Sequence, residues 1–155
     1  MLGCFIQLAN GRGLIEQDTH MRILNLTQHT ATAEQIAAGV VESDKKSLVQ
    51  MYLTFDELPS RRFLMQRAEK LAAMARHSGC EAAMIGGAPF FMAPLEAALA
   101  AQNITVLYAF SKRESVEEMQ PDGSVKKTQV FRHAGFVEVP SGDSVASSFH
   151  LANRS

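Results

Sequence analysis

The segment ITVLYAF, residues 104–110, carries the clearest strand signal in the chain, and its reading decides the rest. Its apolar residues run almost without a break instead of alternating with polar ones. A strand covered on both faces, as in the parallel sheet of an α/β domain, has this pattern. Two shorter upstream runs share it: Ile23-Leu24-Asn25-Leu26 and Glu81-Ala82-Ala83-Met84-Ile85.

The segments between these strands read as helices. Thr32 followed by Gln35 has capping-box spacing and predicts a helix from Ala33 to Val40, limited by Gly39. VESDKK, residues 41–46, reads as a loop. From Ser47 to Phe55, the residues Leu48, Met51, Tyr52 and Phe55 fit a helical stripe. Ser60 can cap a helix over Arg61 to His77, where Leu64, Ala68, Leu71 and Ala75 form one apolar face. Gly86-Gly87 stops the second strand. Pro89 and Pro94 then predict a tight turn and a regular helix from Pro94 to Ala101, because proline is tolerated in a first turn.

Downstream of 104–110, Ser115–Gln120 and Val125–Phe131 flank Pro121-Asp122-Gly123-Ser124, a hairpin signal. With Asp122-Gly123 as the central pair, Glu118 faces Lys127. Gly135–Val139 reads as one more short strand. The expected fold is α/β, with a Rossmann-like parallel core of three strands and an antiparallel β-hairpin extension.

The 155 residues suit one domain, assigned to residues 21–140. Residues 1–20 read as an N-terminal arm, and as a non-native upstream extension, because Met21 opens a clean strand. The Ser-rich residues 141–155 read as a loosely ordered tail. A net charge of −1 argues against bulk nucleic acid or an anionic membrane as partner. No apolar run reaches bilayer length. Cys4 and Cys80 have neither metal spacing nor the look of a disulfide framework, which makes the cytoplasm the default compartment. His20, His77, His133 and His150 form no metal spacing with each other or with the cysteines, so neither a metal nor a cofactor is expected.

Ligands of open α/β sheets bind beyond the carboxyl ends of the strands. Three segments are therefore expected to meet on one edge: Thr27-Gln28-His29-Thr30, Gly86-Gly87-Ala88, and Ser111-Lys112-Arg113. Hydroxyls, an imidazole, a glycine turn opening a helix, and two cations suit a phosphate-bearing ligand. Each piece has a plainer reading: a helix cap, a turn, a solvated ion pair, a hydrogen-bonded structural histidine. Neither the Walker nor the Rossmann glycine fingerprint is present. Arg132 and His133 close the same pocket if the hairpin folds over the strand ends, and lie on the surface if it points away.

The start ILNLTQHTATAEQ, through Gln28-His29, Thr32 and Gln35, resembles small CRISPR-associated Rossmann-like proteins of the CARF and ring-nuclease type, which bind or cleave cyclic oligoadenylate. Gly86-Gly87-Ala88 and Ser111-Lys112-Arg113 fit that layout. The resemblance implies a role in antiviral defence and a small nucleotide or cyclic oligonucleotide as ligand. It also implies a two-fold homodimer, which suits a symmetric ligand. In the enzymatic version, a metal-independent phosphodiesterase, the ribose 2′-OH attacks in line, His29 acts as general base or acid, and Lys112 and Arg113 stabilise the developing charge. Two other readings stand beside it. One is a non-catalytic accessory or interaction protein of a mobile element, and the other is a nucleoside- or sugar-phosphate enzyme on the same scaffold.

Overall fold

A computed structural model describes residues 21–140. The expectations for the arm (1–20) and the tail (141–155) lie outside the described residues. Strand β1 (Ile23–Leu26) leads to helix α1 (Ala33–Ala37), strand β2 (Val40–Val41), and helices α2 (Lys46–Leu53) and α3 (Arg61–Ser78). Strand β3 (Ala82–Ile85), helix α4 (Pro89–Ala101) and the long strands β4 (Thr105–Met119) and β5 (Val125–Glu138) complete it.

The strands form one five-stranded mixed sheet in the order β2-β1-β3-β4-β5. The first four are mutually parallel and β5 is antiparallel to β4. The fold is α/β, as the apolar strands and intervening helices require. The parallel core has four strands, however, where three were expected. The additional one is β2, at the place predicted to end a helix and begin a loop. Helix α1 stops at Ala37 because Gly39 turns the chain at φ +109°, and a Cβ there would overlap the Met21 carbonyl oxygen. The Gly39 carbonyl then accepts from Ile23 N–H at 3.0 Å and delivers Val40 opposite Ile23. Two residues are too few to show a period in sequence.

One sheet face is packed by α2, α3 and α4. Leu24, Leu26, Ala83, Ile85 and Val106 meet Val49, Leu53, Leu71, Ala75, Phe91, Leu95 and Leu99 in one buried cluster. Burying each such Leu or Phe stabilises by about 1.5–3 kcal/mol before entropy is counted. Ile23, Val40, Ala82, Met84 and Leu107 are buried on the opposite face, where Ala31 and Phe136 pack against them. The caps follow expectation. Thr32 Oγ1 accepts from Gln35 N–H while Gln35 Oε1 accepts from Thr32 N–H, and Ser60 Oγ accepts from Phe63 N–H.

Helix α4 begins at Pro89, five residues before the expected start, and Pro94 lies inside it. Pro94 has no N–H for the Phe90 carbonyl, four residues earlier. That loss falls next to the helix start, where carbonyls and N–H groups are incompletely paired in any case.

The largest departure is the hairpin. Strand β4 does not end near Phe110, and the expected pieces 115–120, 125–131 and 135–139 are parts of two continuous strands. The tip turn also differs. Gly123 N–H donates to the Gln120 carbonyl at 2.9 Å, which makes Pro121-Asp122 the central pair, and Gly123 follows at φ +85°. This three-residue connection shifts the register by one from the expected hairpin. Glu118 therefore pairs with Lys126, and Lys127 pairs with Glu117, their charges 3.6 Å apart.

Candidate ligand site at the strand ends

At the carboxyl ends of β1 and β3, the chain organises itself around one buried polar side chain. Asn25 is fully buried in β1. Its Oδ1 accepts from Thr27 N–H (3.0 Å) and the Thr27 hydroxyl (2.7 Å). Its Nδ2 donates to the His29 carbonyl (2.8 Å) and to Glu42 Oε1 (2.9 Å). Glu42 also accepts from Ala31 N–H at 2.6 Å and lies 3.1 Å from Lys46 Nζ. Burial pushes the Glu42 carboxyl up, but the Ala31 and Asn25 hydrogen bonds and the Lys46 ammonium outweigh it and hold it below its ordinary value. Lys46 also donates to the Thr27 and His29 carbonyls, at 2.9 and 2.8 Å.

This network folds the β1–α1 turn and decides what its residues can do. The Thr27 hydroxyl is committed to Asn25. The Gln28 amide donates to the Leu53 carbonyl (3.3 Å) and Thr54 Oγ1 (3.0 Å), tying the turn to the end of α2. Gln50 returns a bond to the Gln28 carbonyl at 3.1 Å. His29 has its carbonyl held from inside by Asn25 and Lys46, and the residue is exposed. Asn25, Glu42 and Lys46 were missed in the sequence reading. The signal for Asn25 was available: a lone amide inside an apolar strand has to be satisfied.

Gly86 lies beside this turn, because Leu26 pairs with Ile85; a Cβ on Gly86 would stand 3.6 Å from the Thr27 methyl. Gly86 and Gly87 lead into Ala88, which caps α4 without any side-chain bond. The first two of the three expected segments therefore do meet.

The third does not. Tyr108 pairs with Ile85, and β4 continues past that level. Lys112 is four residues further, about 13 Å at strand spacing. Ser111, Lys112 and Arg113 sit on the exposed hairpin, opposite His133, Arg132 and Phe131, and the Arg113 guanidinium lies 5.3 Å from the centre of the Phe131 ring. A strand that leaves the sheet carries its polar residues away from the edge.

Arg132 and His133 approach α1. Glu34 accepts from His133 N–H at 2.9 Å and lies 3.5 Å from Arg132 Nη1, while Glu114 lies 3.2 Å from Arg132 Nε. The register slips between Phe110 and Ser111, leaving Ala134 unpaired, so the ribbon bends at its root. His133 packs on Phe136 with ring centres 4.7 Å apart, and its Nδ1 is buried with no partner among the described residues.

A wall of aromatic rings adjoins the start of α4. Phe55 meets Phe90 and Phe91 edge-on, with ring centres 5.2 and 5.3 Å apart, and Phe90 is 53% exposed. The Arg67 guanidinium lies over Phe55 and Phe63, at 4.9 and 4.3 Å, and donates to the Tyr52 and Thr54 carbonyls. A cavity of about 470 Å³ opens here, lined by Thr54 to Ser60, Phe63 and Arg67. Another, of about 540 Å³, lies between the β1–β2 side of the sheet and α3, with Arg22, Glu42, Asp44, His77 and Cys80 among its walls. Between β4 and α4, Tyr108 donates to Glu96 at 2.6 Å; burial, reinforced by that carboxylate, pushes the phenol pKa up and keeps it a neutral donor.

Among the described residues, no cluster of three or more His, Cys, Asp or Glu side chains suits a metal ion, and no helix is long and apolar enough to cross a membrane. These observations define an α/β protein whose polar turn and helix start adjoin at neighbouring strand ends. A family model described as the "Uncharacterized protein MJ1673 family" matches residues 21–137, and the chain belongs to that family. No curated protein and no solved structure matches it significantly.

Proposed function

We infer that this is a Rossmann-like protein that binds a nucleotide at the ends of β1 and β3. The observation that carries the reading is the place where two turns adjoin. The chain leaves β1 towards β2 on one side and enters β3 on the other, so β1 and β3 flank the point where the strand order reverses. Open α/β sheets bind ligands at that point. The start of α4, uncapped by any side chain, offers the Phe90 N–H and a positive dipole end to phosphate, while Pro89 has no N–H and the Phe91 N–H already donates to the Ala88 carbonyl. Phe55 and Phe90 offer rings on which a base can stack. His29, exposed in the β1–α1 turn, is the residue to which a general-base role is assigned. Lys112 and Arg113 are too far along the β4–β5 hairpin to share that step, so catalysis is the less supported half of the reading. Cyclic oligoadenylate is the ligand that the CARF and ring-nuclease resemblance suggests.

Thermal-shift titration with cyclic tetra- and hexa-adenylate, AMP and ATP tests the binding. A stabilising shift that Phe90→Ala reduces is expected, and no shift with any of the four overturns the reading. If cyclic tetra-adenylate binds, incubation in EDTA followed by chromatography tests cleavage. His29→Ala is then expected to abolish turnover while keeping most of the affinity. The exposed hairpin favours a second reading, that of an interaction protein.

A further inference from the structure

The hairpin beyond Phe110 is a ribbon with two open edges. The β3 side of β4 is unpaired from Ala109 to Met119, because β3 ends at Ile85, and every residue there is exposed except half-buried Val116. An isolated two-stranded ribbon is marginal in water, and an open edge is a template for another strand. Its side chains indicate which strand fits. Along β4, Lys112 and Arg113 precede the midpoint Ser115, and Glu117 and Glu118 follow it.

We propose that the open edge of β4 pairs antiparallel with the same edge of a second copy of this chain, with Ser115 opposite Ser115. In that register Lys112 faces Glu118 of the other copy and Arg113 faces its Glu117, each pair occurring twice. Glu114 faces Val116 and no like charges meet. Centred instead on Val116, the pairing sets Glu114 against Glu118, and centred on Glu114 it sets Glu114 against itself, so charge selects the register. Within the chain, Lys112 lies opposite Arg132, a like charge, and neither Lys112, Arg113 nor Glu118 has an ion-pair partner among the described residues. The outer edge of β5 cannot pair with itself in the same way. Centred on Gln129, it would set Lys126 against Arg132, and Val125 to His133 contains no acidic residue to relieve that.

The resulting sheet runs β5-β4-β4-β5 across the two-fold axis. The two α/β bodies lie at opposite ends with their strand ends facing. About 45 Å of ribbon separates one Tyr108 from the other at strand spacing. In this register Pro121 and Asp122 of one copy come level with Ala109 and Tyr108 of the other, where its β3 ends at Ile85, so each tip reaches the edge of the other copy's strand-end site.

The test uses the full chain and two charge variants. Lys112→Glu with Arg113→Glu makes the edge wholly acidic, and Glu117→Lys with Glu118→Lys leaves it basic apart from Glu114. Sedimentation velocity is expected to show dimers for the native protein, monomers for each variant alone, and a heterodimer when the two are mixed. A native monomer at the highest soluble concentration overturns the proposal, as does a dimer that survives in both variants. Should the basic variant fail to fold, cysteine cross-linking decides instead. Ser115→Cys is expected to form a covalent dimer with a short bis-maleimide, and Gln129→Cys, three strand spacings from its copy, is not. Equal cross-linking at both positions, or none at Ser115→Cys, overturns it.

Discussion

Strands β1 and β3 are buried at every residue, whereas β4 and β5 beyond the Phe110 bulge are exposed almost throughout. The same extended backbone is held in two different ways. In the body, apolar side chains leave water on both faces of a covered sheet. In the hairpin beyond the bulge, the arm of this comparison, water stays, and the order comes from cross-strand hydrogen bonds, the Pro121-Asp122-Gly123 turn and pairs such as Glu117 with Lys127. Exposed pairs of that kind contribute about 0.2–1 kcal/mol each. The body can therefore support a fixed site, while the arm is suited to contact.

Substitutions on the two sides of this boundary should differ sharply. Phe91→Ala in α4 removes a fully buried ring and is expected to cost about 3–5 kcal/mol by urea denaturation. Phe131→Ala on the arm, where the ring is 68% exposed, should cost less than about 0.5 kcal/mol. Comparable losses at both positions would mean that the arm is packed as the body is. Asn25→Ala should come next, at about 2–3 kcal/mol, since it orphans buried partners in the β1–α1 turn. The loss should be accompanied by faster amide exchange at Thr27 and Ala31. Gly39→Ala forces a side chain to φ +109° and into the Met21 carbonyl, for about 1–3 kcal/mol, read as a lower melting temperature.

The smallest effect concerns pH. The folded Glu42 pKa lies below its ordinary value, so the stability it contributes is complete above the ordinary carboxylate range and is lost as pH falls through the folded value. Glu42→Gln should flatten the fall in urea midpoint between about pH 5 and pH 3. An unchanged slope would show that Glu42 does not couple folding to protons.

Much of the body was legible in the residues. The apolar runs at 23–26 and 81–85, the Thr32–Gln35 box and the Ser60 cap each carry a local physical signal, and each appears in the structure close to its expected place; the run at 104–110 starts β4 where expected, but the strand continues to Met119. Of the site, the adjacency of Thr27 and Gly86 could be foreseen from parallel strands ending together. The loss of Ser111-Lys112-Arg113 from that edge could not. Ser111 to Glu118 has polar residues on both faces, so no period distinguishes a solvated strand from a loop there.

By itself the sequence determined the α/β class, the helix caps and the buried strands, because burial and capping are set by residues near one another in the chain. Only the tertiary structure decided that Val40-Val41 joins the sheet, that Asn25 anchors the turn through Glu42, and that β4 runs on past its neighbours. Each of these depends on a partner far away in the chain, whose position no local pattern records.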